Sequence, residues 1–249
     1  DAHTFRNWSR ILADEGRWLS DFNPNHVGSN PPVTSAPFHQ TPLYPYLLAA
    51  GARLMGWQLS SSQSIPSIVI MQMILGLALA YPVYRIALLL GGGRLARGCV
   101  VAYLLCDVAL YYQTVVLREF ILMIVNTCVV WALLEYMETR RMRWAVLLGA
   151  FLGLSILGKP TFLVVAPPAL VFIAIRGRVY RGPLLAVLMM VAVLAVPVAR
   201  NLVMNVQPPL KITTRGSLEY IHGNSYRSAD PVMNILNSGG GQGVGWDFE

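Results

Sequence analysis

The fold class follows from the stretch AVLLGAFLGLSILGKPTFLVVAPPALVFIAI, residues 145–175, which holds 31 residues and one charged side chain, Lys159. A helix that crosses a bilayer needs about 20 mostly apolar residues, so this stretch is too long for one upright span. Gly158-Lys159-Pro160 lies near its middle, and a proline disfavours helical geometry in the residue before it. We therefore predict two short membrane helices, at about 145–157 and 161–175, joined by a turn at Lys159.

Four further apolar runs lie on either side of this stretch, and each is long enough, or nearly so, to cross a membrane. They cover residues 66–90, 98–117, 120–137 and 184–199. The charged residues within them are Arg85, Asp107 and Glu135. Together with the two halves of the first stretch, these runs predict an all-α polytopic membrane protein with about six transmembrane helices.

The composition agrees with a membrane protein and argues against other classes. Of the 249 residues, 55% are hydrophobic and 12% are charged, whereas soluble domains are about 25% charged. A disordered chain would be poorer in apolar residues and richer in charge, and the same values argue against a soluble nucleic-acid-binding protein. The three cysteines lie in apolar runs without a CxxC spacing. We interpret them as small buried hydrophobic residues and expect no structural metal site.

The net charge of +7 is unevenly divided between the joints of these helices. Every second joint is rich in arginine, whereas the turns at 113–119 and 158–161 are only lightly basic. The arginines of the basic joints are Arg94, Arg97, Arg140, Arg141, Arg143, Arg176, Arg178 and Arg181. Because loops rich in arginine stay in the cytoplasm, we place these joints inside and the two lightly basic turns on the outer face of the membrane.

We predict three parts along the chain. Residues 1–65 form an outer loop, residues 66–200 form the transmembrane core, and residues 201–249 form an outer-face segment that leads to a missing C-terminal part. The chain begins at Asp1 without a methionine and ends just after a glycine-rich stretch. We therefore expect it to be part of a longer protein.

The outer loop contains two segments that favour helices lying on the membrane surface. Residues 5–18 place aromatic and aliphatic side chains among polar ones, which predicts an amphipathic helix. Residues 43–57 are apolar but too short to span the bilayer. We predict an interfacial helix there, with Tyr44, Tyr46 and Trp57 at the level of the lipid headgroups.

The residues that could carry chemistry lie mostly on the outer face, and each also has a plain structural interpretation. Asp1 heads the outer loop, where a carboxylate can act as a general base on an acceptor hydroxyl or cap a helix. Arg118 and Glu119 can anchor a phosphate and orient an acid, or they can form an interfacial ion pair. Lys159 needs an anionic partner such as a lipid phosphate, or it extends to the headgroups.

Three further polar residues are candidates. Arg200 closes the last span and Asn224 follows it on the outer side, where both can contact a phosphate or a sugar or belong to a solvated face. Asp107 lies about ten residues from the outer end of its run, roughly 15 Å at helical rise. An acid within the membrane indicates either a functional residue or a hydrogen-bonded structural one, and we do not assign Asp107 to catalysis. The sequence contains no P-loop, GxSxG or HExxH motif.

Six short stretches follow one another along nearly the whole chain. They are Asp1-Ala2-His3 with WSRILADEGRW, HQTPLYPYLLAAGARLMG from His39, VVLREF with Arg118 and Glu119, FLGLSILGKPTFLVVAPP around Lys159, VPVARNLV with Arg200, and KITTRGSLEYIHGN ending at Asn224. In this order, they resemble the membrane core of GT-C glycosyltransferases, specifically the protein O-mannosyltransferase-like group.

The resemblance implies an enzyme that takes a sugar from a polyprenyl-phosphate donor lying in the membrane lipid and transfers it with inversion to a hydroxyl of a protein, lipid or glycan. Asp1 would deprotonate the acceptor, and Glu119 would orient the acceptor or assist Asp1. The implied substrate- and phosphate-binding residues are His3, His39, Arg118, Lys159, Arg200 and Asn224. The resemblance also implies a bacterial inner membrane with the site facing the periplasm. It leaves a divalent metal open, because many relatives carry a second acid where this chain has Ala2.

Two other functions stay open at this point: a transporter and a non-catalytic membrane assembly subunit. A transporter more often has internal symmetry and polar residues along a path through the membrane. Here Asp107 is the polar candidate at mid-span, and the others concentrate on one face, which favours a surface site. An assembly subunit would tolerate replacement of Asp1 and Lys159.

Overall fold

The computed structural model describes residues 9–10, 12–13, 41–57, 64–177, 180–203, 205 and 210. The α-helices named in this article are α1 Leu43–Met55, α2 Ser64–Leu104, α3 Asp107–Thr114, α4 Arg118–Thr139, α5 Met142–Gly158, α6 Ala166–Gly177 and α7 Arg181–Val203. A 3₁₀ helix, Pro160–Val164, lies between α5 and α6. Every regular element in the described residues is helical, so the all-α fold class is confirmed.

Within the described residues, three helices are long and apolar enough to cross a membrane. They cover Ile65–Leu104, Arg118–Thr139 and Arg181–Val203. Two shorter apolar helices, Met142–Gly158 and Pro160–Arg176, lie between the second and the third. The chain is therefore a helical membrane protein, whereas the count of six spans stays a prediction.

Helix α2 is a hairpin of two arms rather than one straight rod. Gly92 has φ 82° and ψ −177°, which interrupts the helix between residues 64–91 and 93–104. The two arms lie side by side, since the hydroxyl of Tyr103 donates a hydrogen bond to the carbonyl oxygen of Gly76 at 2.7 Å. The break falls at the joint that we predict after the first apolar run.

The predicted span at 98–117 is not continuous. The second arm of α2 ends at Leu104, and α3 begins at Asp107 after a non-helical Cys106 with ψ 109°. The carboxylate of Asp107 accepts a hydrogen bond from the backbone N–H of Val108 at 2.7 Å. An aspartate that bonds to a neighbouring backbone group competes with helical hydrogen bonds, which explains a break without proline or glycine.

The stretch at 145–175 splits where the Gly-Lys-Pro sequence predicts. Helix α5 ends at Gly158, and Lys159 is extended, with φ −154° and ψ 108°. The second half begins later than predicted, because Pro160 opens a 3₁₀ helix before α6 starts at Ala166. Proline fits the first position of such a helix, since its missing N–H would have had no partner there.

Helices α5 and α7 approach each other closely through glycines. A Cβ atom added at Gly149 would overlap the carbonyl group of Ala186, and one added at Gly153 would lie 2.8 Å from the Cβ of Val193. Small residues at such positions let helix backbones come together in a membrane, where packing rather than the hydrophobic effect drives association. Leu148 of α5 and Ala186 of α7 belong to one buried hydrophobic cluster at this contact.

Two polar contacts join the membrane helices. Arg85 of α2 forms an ion pair with Glu135 of α4, and the indole N–H of Trp131 donates to the same carboxylate at 3.2 Å. Ser155 of α5 donates to Asn126 of α4 at 2.9 Å. Each contact satisfies polar groups that would be costly to expose to hydrocarbon. Two of the three charges within the predicted runs thus neutralise each other.

Helix α1 lies across the ends of three other helices. Its Leu43 and Leu48 pack with Ile68 of α2, Phe120 of α4 and Leu157 of α5. A 13-residue helix is too short to span a bilayer, which agrees with the interfacial helix predicted at 43–57.

The described residues of the first predicted segment lie against α1. Leu12 is fully buried and packs against Ala49 of α1. The guanidinium of Arg53 donates to the backbone carbonyls of Leu12 at 3.3 Å and of Ala13 at 3.2 Å. The rest of the predicted amphipathic helix lies outside the described residues.

Candidate active site

The described residues include half of the predicted site. Arg118 and Glu119 begin α4, Lys159 follows α5, and Arg200 lies in the last turn of α7. Asp1, His3, His39 and Asn224 lie outside the described residues, so their roles stay predictions. The four described residues belong to three segments that converge on the first turn of α1.

An apolar cavity of about 220 Å³ opens between α1, α5 and α7 at the end of the bundle where α1 lies. Its lining residues are Pro42, Leu43, Tyr46, Leu157, Val196, Pro197 and Arg200. Arg200 is 4% exposed, and its Nη1 donates to the side-chain oxygen of Asn201 at 2.9 Å. A guanidinium on an otherwise apolar wall suits a ligand with a hydrocarbon part and an acidic group.

Lys159 lies beside the same end of α1. Its backbone N–H donates to the carbonyl oxygen of Ser155 at 2.8 Å, and its own carbonyl accepts from the N–H of Phe162 at 3.0 Å. The preceding residue, Gly158, approaches the first turn of α1 so closely that an added Cβ would lie 3.1 Å from Leu43. The turn is therefore held at both ends, and its half-buried lysine has no acidic partner among the described residues.

Arg118 and Glu119 form a local pair at the start of α4. The Nε of Arg118 lies 3.3 Å from a carboxylate oxygen of Glu119, and their side chains are 11% and 44% exposed. A carboxylate in the first turn is favoured by the positive end of the helix dipole. The arginine is therefore mostly withdrawn from solvent, whereas the glutamate is open to an approaching ligand.

A buried hydrogen-bond network joins α1 to the segment that precedes this pair. The hydroxyl of Tyr44 donates to the side-chain oxygen of Gln72 at 2.6 Å. The amide nitrogen of Gln72 donates to the backbone carbonyls of Gln113 at 2.9 Å and of Val115 at 3.0 Å. Gln72 is fully buried and Tyr44 is 1% exposed. One amide group thus connects α1 and α2 to the short segment that leads into Arg118.

The surroundings of Tyr44 fix its ring and its ionisation. The ring points into the bundle, where Gln72 supplies the partner that a buried hydroxyl needs, and its level relative to the lipid headgroups stays a prediction. Burial raises the pKa of Tyr44, and the nearby Glu119 carboxylate raises it further. The hydroxyl therefore stays protonated and keeps its role as a donor.

Sequence reasoning missed Gln72 as a site residue. An uncharged polar side chain barely changes the hydropathy of an apolar run, so Gln72 drew no attention beside Arg85. Its partners lie 28 to 43 residues away in the chain. The one available signal was a large amide within a predicted span, which needs hydrogen-bond partners inside the bundle.

The described residues contain no group of three or more histidine, cysteine, aspartate or glutamate side chains that could hold a metal ion. The predicted site residues whose segments converge on the first turn of α1 are the cations Arg118, Lys159 and Arg200 and the carboxylate of Glu119. This composition suits an anionic ligand that carries a hydroxyl-bearing group.

The sequence was compared with protein families, curated proteins and solved structures. No curated protein and no solved structure gives a significant match. A family model, that of the dolichyl-phosphate-mannose-protein mannosyltransferases, matches residues 39–200 of the 249. The match covers all of α1 to α6 and reaches Arg200 in α7. The chain therefore belongs to the dolichyl-phosphate-mannose-protein mannosyltransferase family.

Proposed function

We propose that this mannosyltransferase-type membrane protein transfers a sugar from a polyprenyl-phosphate donor to an acceptor hydroxyl at the outer face of the membrane. The observation that carries the proposal is the apolar cavity lined by Arg200. An isoprenoid chain needs apolar walls next to the bilayer, whereas its phosphate needs a cation. Within one turn of α7, Pro197 supplies an apolar wall and Arg200 supplies the cation.

The three cations near α1 are assigned to the donor phosphate. Arg200 and Arg118 are mostly withdrawn from bulk water, where the interaction of a cation with a phosphate is stronger. Lys159 is held in a fixed turn beside the same helix end. Negative charge grows on the phosphate oxygen as the sugar leaves, so contacts with that oxygen lower the barrier rather than only tightening binding.

The reaction is a displacement at the anomeric carbon of the donor. The acceptor oxygen forms a bond to this carbon, and the bond from the carbon to the phosphate oxygen breaks, with the electron pair leaving on the phosphate. Attack from the opposite side inverts the configuration. The proton of the acceptor passes to Asp1 as general base, while the open carboxylate of Glu119 orients the acceptor or assists Asp1.

The substrates follow from the chemistry and the family. The family description names a dolichyl-phosphate mannose donor and a protein acceptor, so mannose and a protein hydroxyl are the pair to test first, ahead of a lipid or glycan acceptor. The arginine-rich joints favour a site opposite the cytoplasm. In a bacterium this outer side of the inner membrane is the periplasm.

A transfer assay in membranes that contain the full-length protein tests the proposal. We expect Asp1→Asn and Lys159→Ala to lower transfer from polyprenyl-phosphate mannose by about 100-fold, as for the loss of a base or of one group that stabilises transition-state charge. Arg143→Gln is the matched control, since Arg143 is an exposed cation on the arginine-rich side.

The melting temperature of each purified variant separates a chemical effect from misfolding. Wild-type rates in both Asp1→Asn and Lys159→Ala would remove the catalytic assignment. No transfer by the wild-type protein with several sugars would instead favour a transporter or an assembly subunit.

A further inference from the structure

An acidic side chain lies on an open face of the bundle at the start of α3. Asp107 is exposed in the structure, as is Cys106 before it. The neighbouring apolar side chains are open as well: Leu105 is 74% exposed and Tyr111 is 59% exposed. This face, defined here as residues 104–111, therefore combines exposed apolar side chains with one carboxylate.

Asp107 lies near the middle of the membrane rather than at its surface. The preceding arm contacts Gly76 through Tyr103, and a Cβ at Gly76 would touch the side chain of Gln113, which follows Asp107. Gly76 is about 18 Å along α2 from Ser64 at helical rise. Asp107 falls between the two residues that meet Gly76, so it shares their depth.

The helix is also interrupted at this depth. Cys106 is extended, with ψ 109°, and separates the second arm of α2 from α3. The chain satisfies this break itself, since the N–H of Cys106 donates to the carbonyl oxygen of Tyr103 at 3.1 Å and the carbonyl of Cys106 accepts from the N–H of Leu110 at 3.0 Å. The group on this face that hydrocarbon cannot satisfy is therefore the carboxylate of Asp107.

The charges of the described residues leave Asp107 without a counter-ion. Arg85, the cation within the apolar run of the same hairpin, already pairs with Glu135 of α4. The bond that Asp107 accepts from the Val108 N–H is within its own helix and leaves its charge uncompensated. A carboxylate in a bilayer is costly unless it is paired, so the missing partner is a cation.

We propose that another transmembrane helix covers residues 104–111 and presents an arginine, lysine or histidine side chain to Asp107. Charge complementarity selects this occupant. A second copy of the chain does not meet the requirement, because its own intramembrane arginine, Arg85, is engaged with Glu135. Lipid tails do not meet it either, since they cannot bond the carboxylate.

Photo-crosslinking in native membranes tests this cover in the full-length protein. Leu105 is replaced by photoreactive benzoylphenylalanine, and the matched control carries the same replacement at Leu188, which is 56% exposed on α7. We expect position 105 to crosslink to a transmembrane peptide that contains a basic residue, whereas position 188 yields lipid adducts. Lipid adducts alone at both positions would overturn the proposal.

Exchanging the charges of Asp107 and its proposed basic partner is the second test. We expect Asp107→Lys to lower the amount of folded protein by about 10-fold or more, and Asp107→Asn to have a smaller effect because it keeps a hydrogen-bonding side chain. Changing the crosslinked basic residue to aspartate should restore the Asp107→Lys variant. A crosslinked peptide without a basic residue, a crosslink to a second copy, or an exchange that restores nothing would overturn the proposal.

Discussion

Gln72 connects α1, α2 and the segment before α4 through a single amide group, so its replacement tests how the site is held. Gln72→Glu keeps the size of the side chain but turns its two N–H donors into an acceptor that faces the carbonyls of Gln113 and Val115. A buried group left unpaired costs about 1–3 kcal/mol. We expect a melting temperature several degrees lower and a transfer rate reduced by about 10-fold or more.

Tyr44→Phe is the control for this change. It removes the hydroxyl bond to Gln72, worth about 1 kcal/mol, and leaves both amide bonds to the backbone in place. We expect its transfer rate to stay nearer to that of the wild type. Equal losses in both variants, or none in Gln72→Glu, would mean that the amide does not position the segment before Arg118.

The raised pKa of Tyr44 predicts a pH dependence of stability. In the unfolded chain this tyrosine ionises near pH 10, whereas in the folded protein it stays protonated to higher pH. The stabilisation by its hydroxyl is therefore complete below about pH 10 and declines as the pH rises further. Thermal melts of the wild type and of Tyr44→Phe should converge above that pH, and a constant difference would contradict the prediction.

Among single residues, some features are predictable from the sequence and others are not. The turn at Lys159 is predictable because Gly158 and Pro160 act on the adjacent backbone. The role of Gln72 is not, since it depends on carbonyls more than 40 residues away. The inward position of Tyr44 depends on its contact with Gln72, 28 residues away, and is not predictable either.

The hairpin of α2 depends on a backbone conformation that favours glycine. Gly92 has φ 82° and ψ −177°, a region that costs other residues about 1–3 kcal/mol. We expect Gly92→Ala to lower the melting temperature by several degrees. Gly93→Ala is the matched control, because an added Cβ there meets nothing within 4 Å. Equal melting temperatures for the two variants would contradict this account of the turn.

The contact between α5 and α7 gives a second prediction for an element. Gly149→Val would force the helices apart, because even a Cβ overlaps the Ala186 carbonyl, and overpacking costs about 1–3 kcal/mol. Gly98→Val, at a helical glycine with open space around it, is the control. We expect the first variant alone to melt several degrees lower in detergent, and a similar loss in both would point to helix propensity instead.

At the scale of elements, the sequence predicts where apolar runs begin and end better than it predicts their continuity. The joint at Gly92 and the split at Lys159 follow from glycine and proline. The break before Asp107 has no such marker, because it arises from an aspartate that accepts a hydrogen bond from the backbone N–H of the next residue. The mean hydropathy of the run is barely changed by one aspartate, so the sequence predicts one unbroken helix there.

For the whole molecule, the spacing of charges carries more information than their sum. Glu119, Lys159 and Arg200 are predicted on one face because each follows or precedes an apolar run, and the structure brings their segments together on the first turn of α1. How closely they approach depends on the angle at which α1 crosses the bundle. That angle depends on the packing of Leu43 and Leu48, which no local pattern reveals.

The two faces of the molecule give the last prediction. Arg141 lies in an arginine-rich joint and Thr161 in the turn after Lys159, and both are exposed. With Cys99, Cys106 and Cys128 replaced by alanine, a membrane-impermeant maleimide added to intact cells should label Thr161→Cys and not Arg141→Cys. After the membrane is permeabilised, both should react. Labelling of Arg141→Cys alone in intact cells would show the opposite topology, with the apolar cavity and Arg200 on the cytoplasmic side.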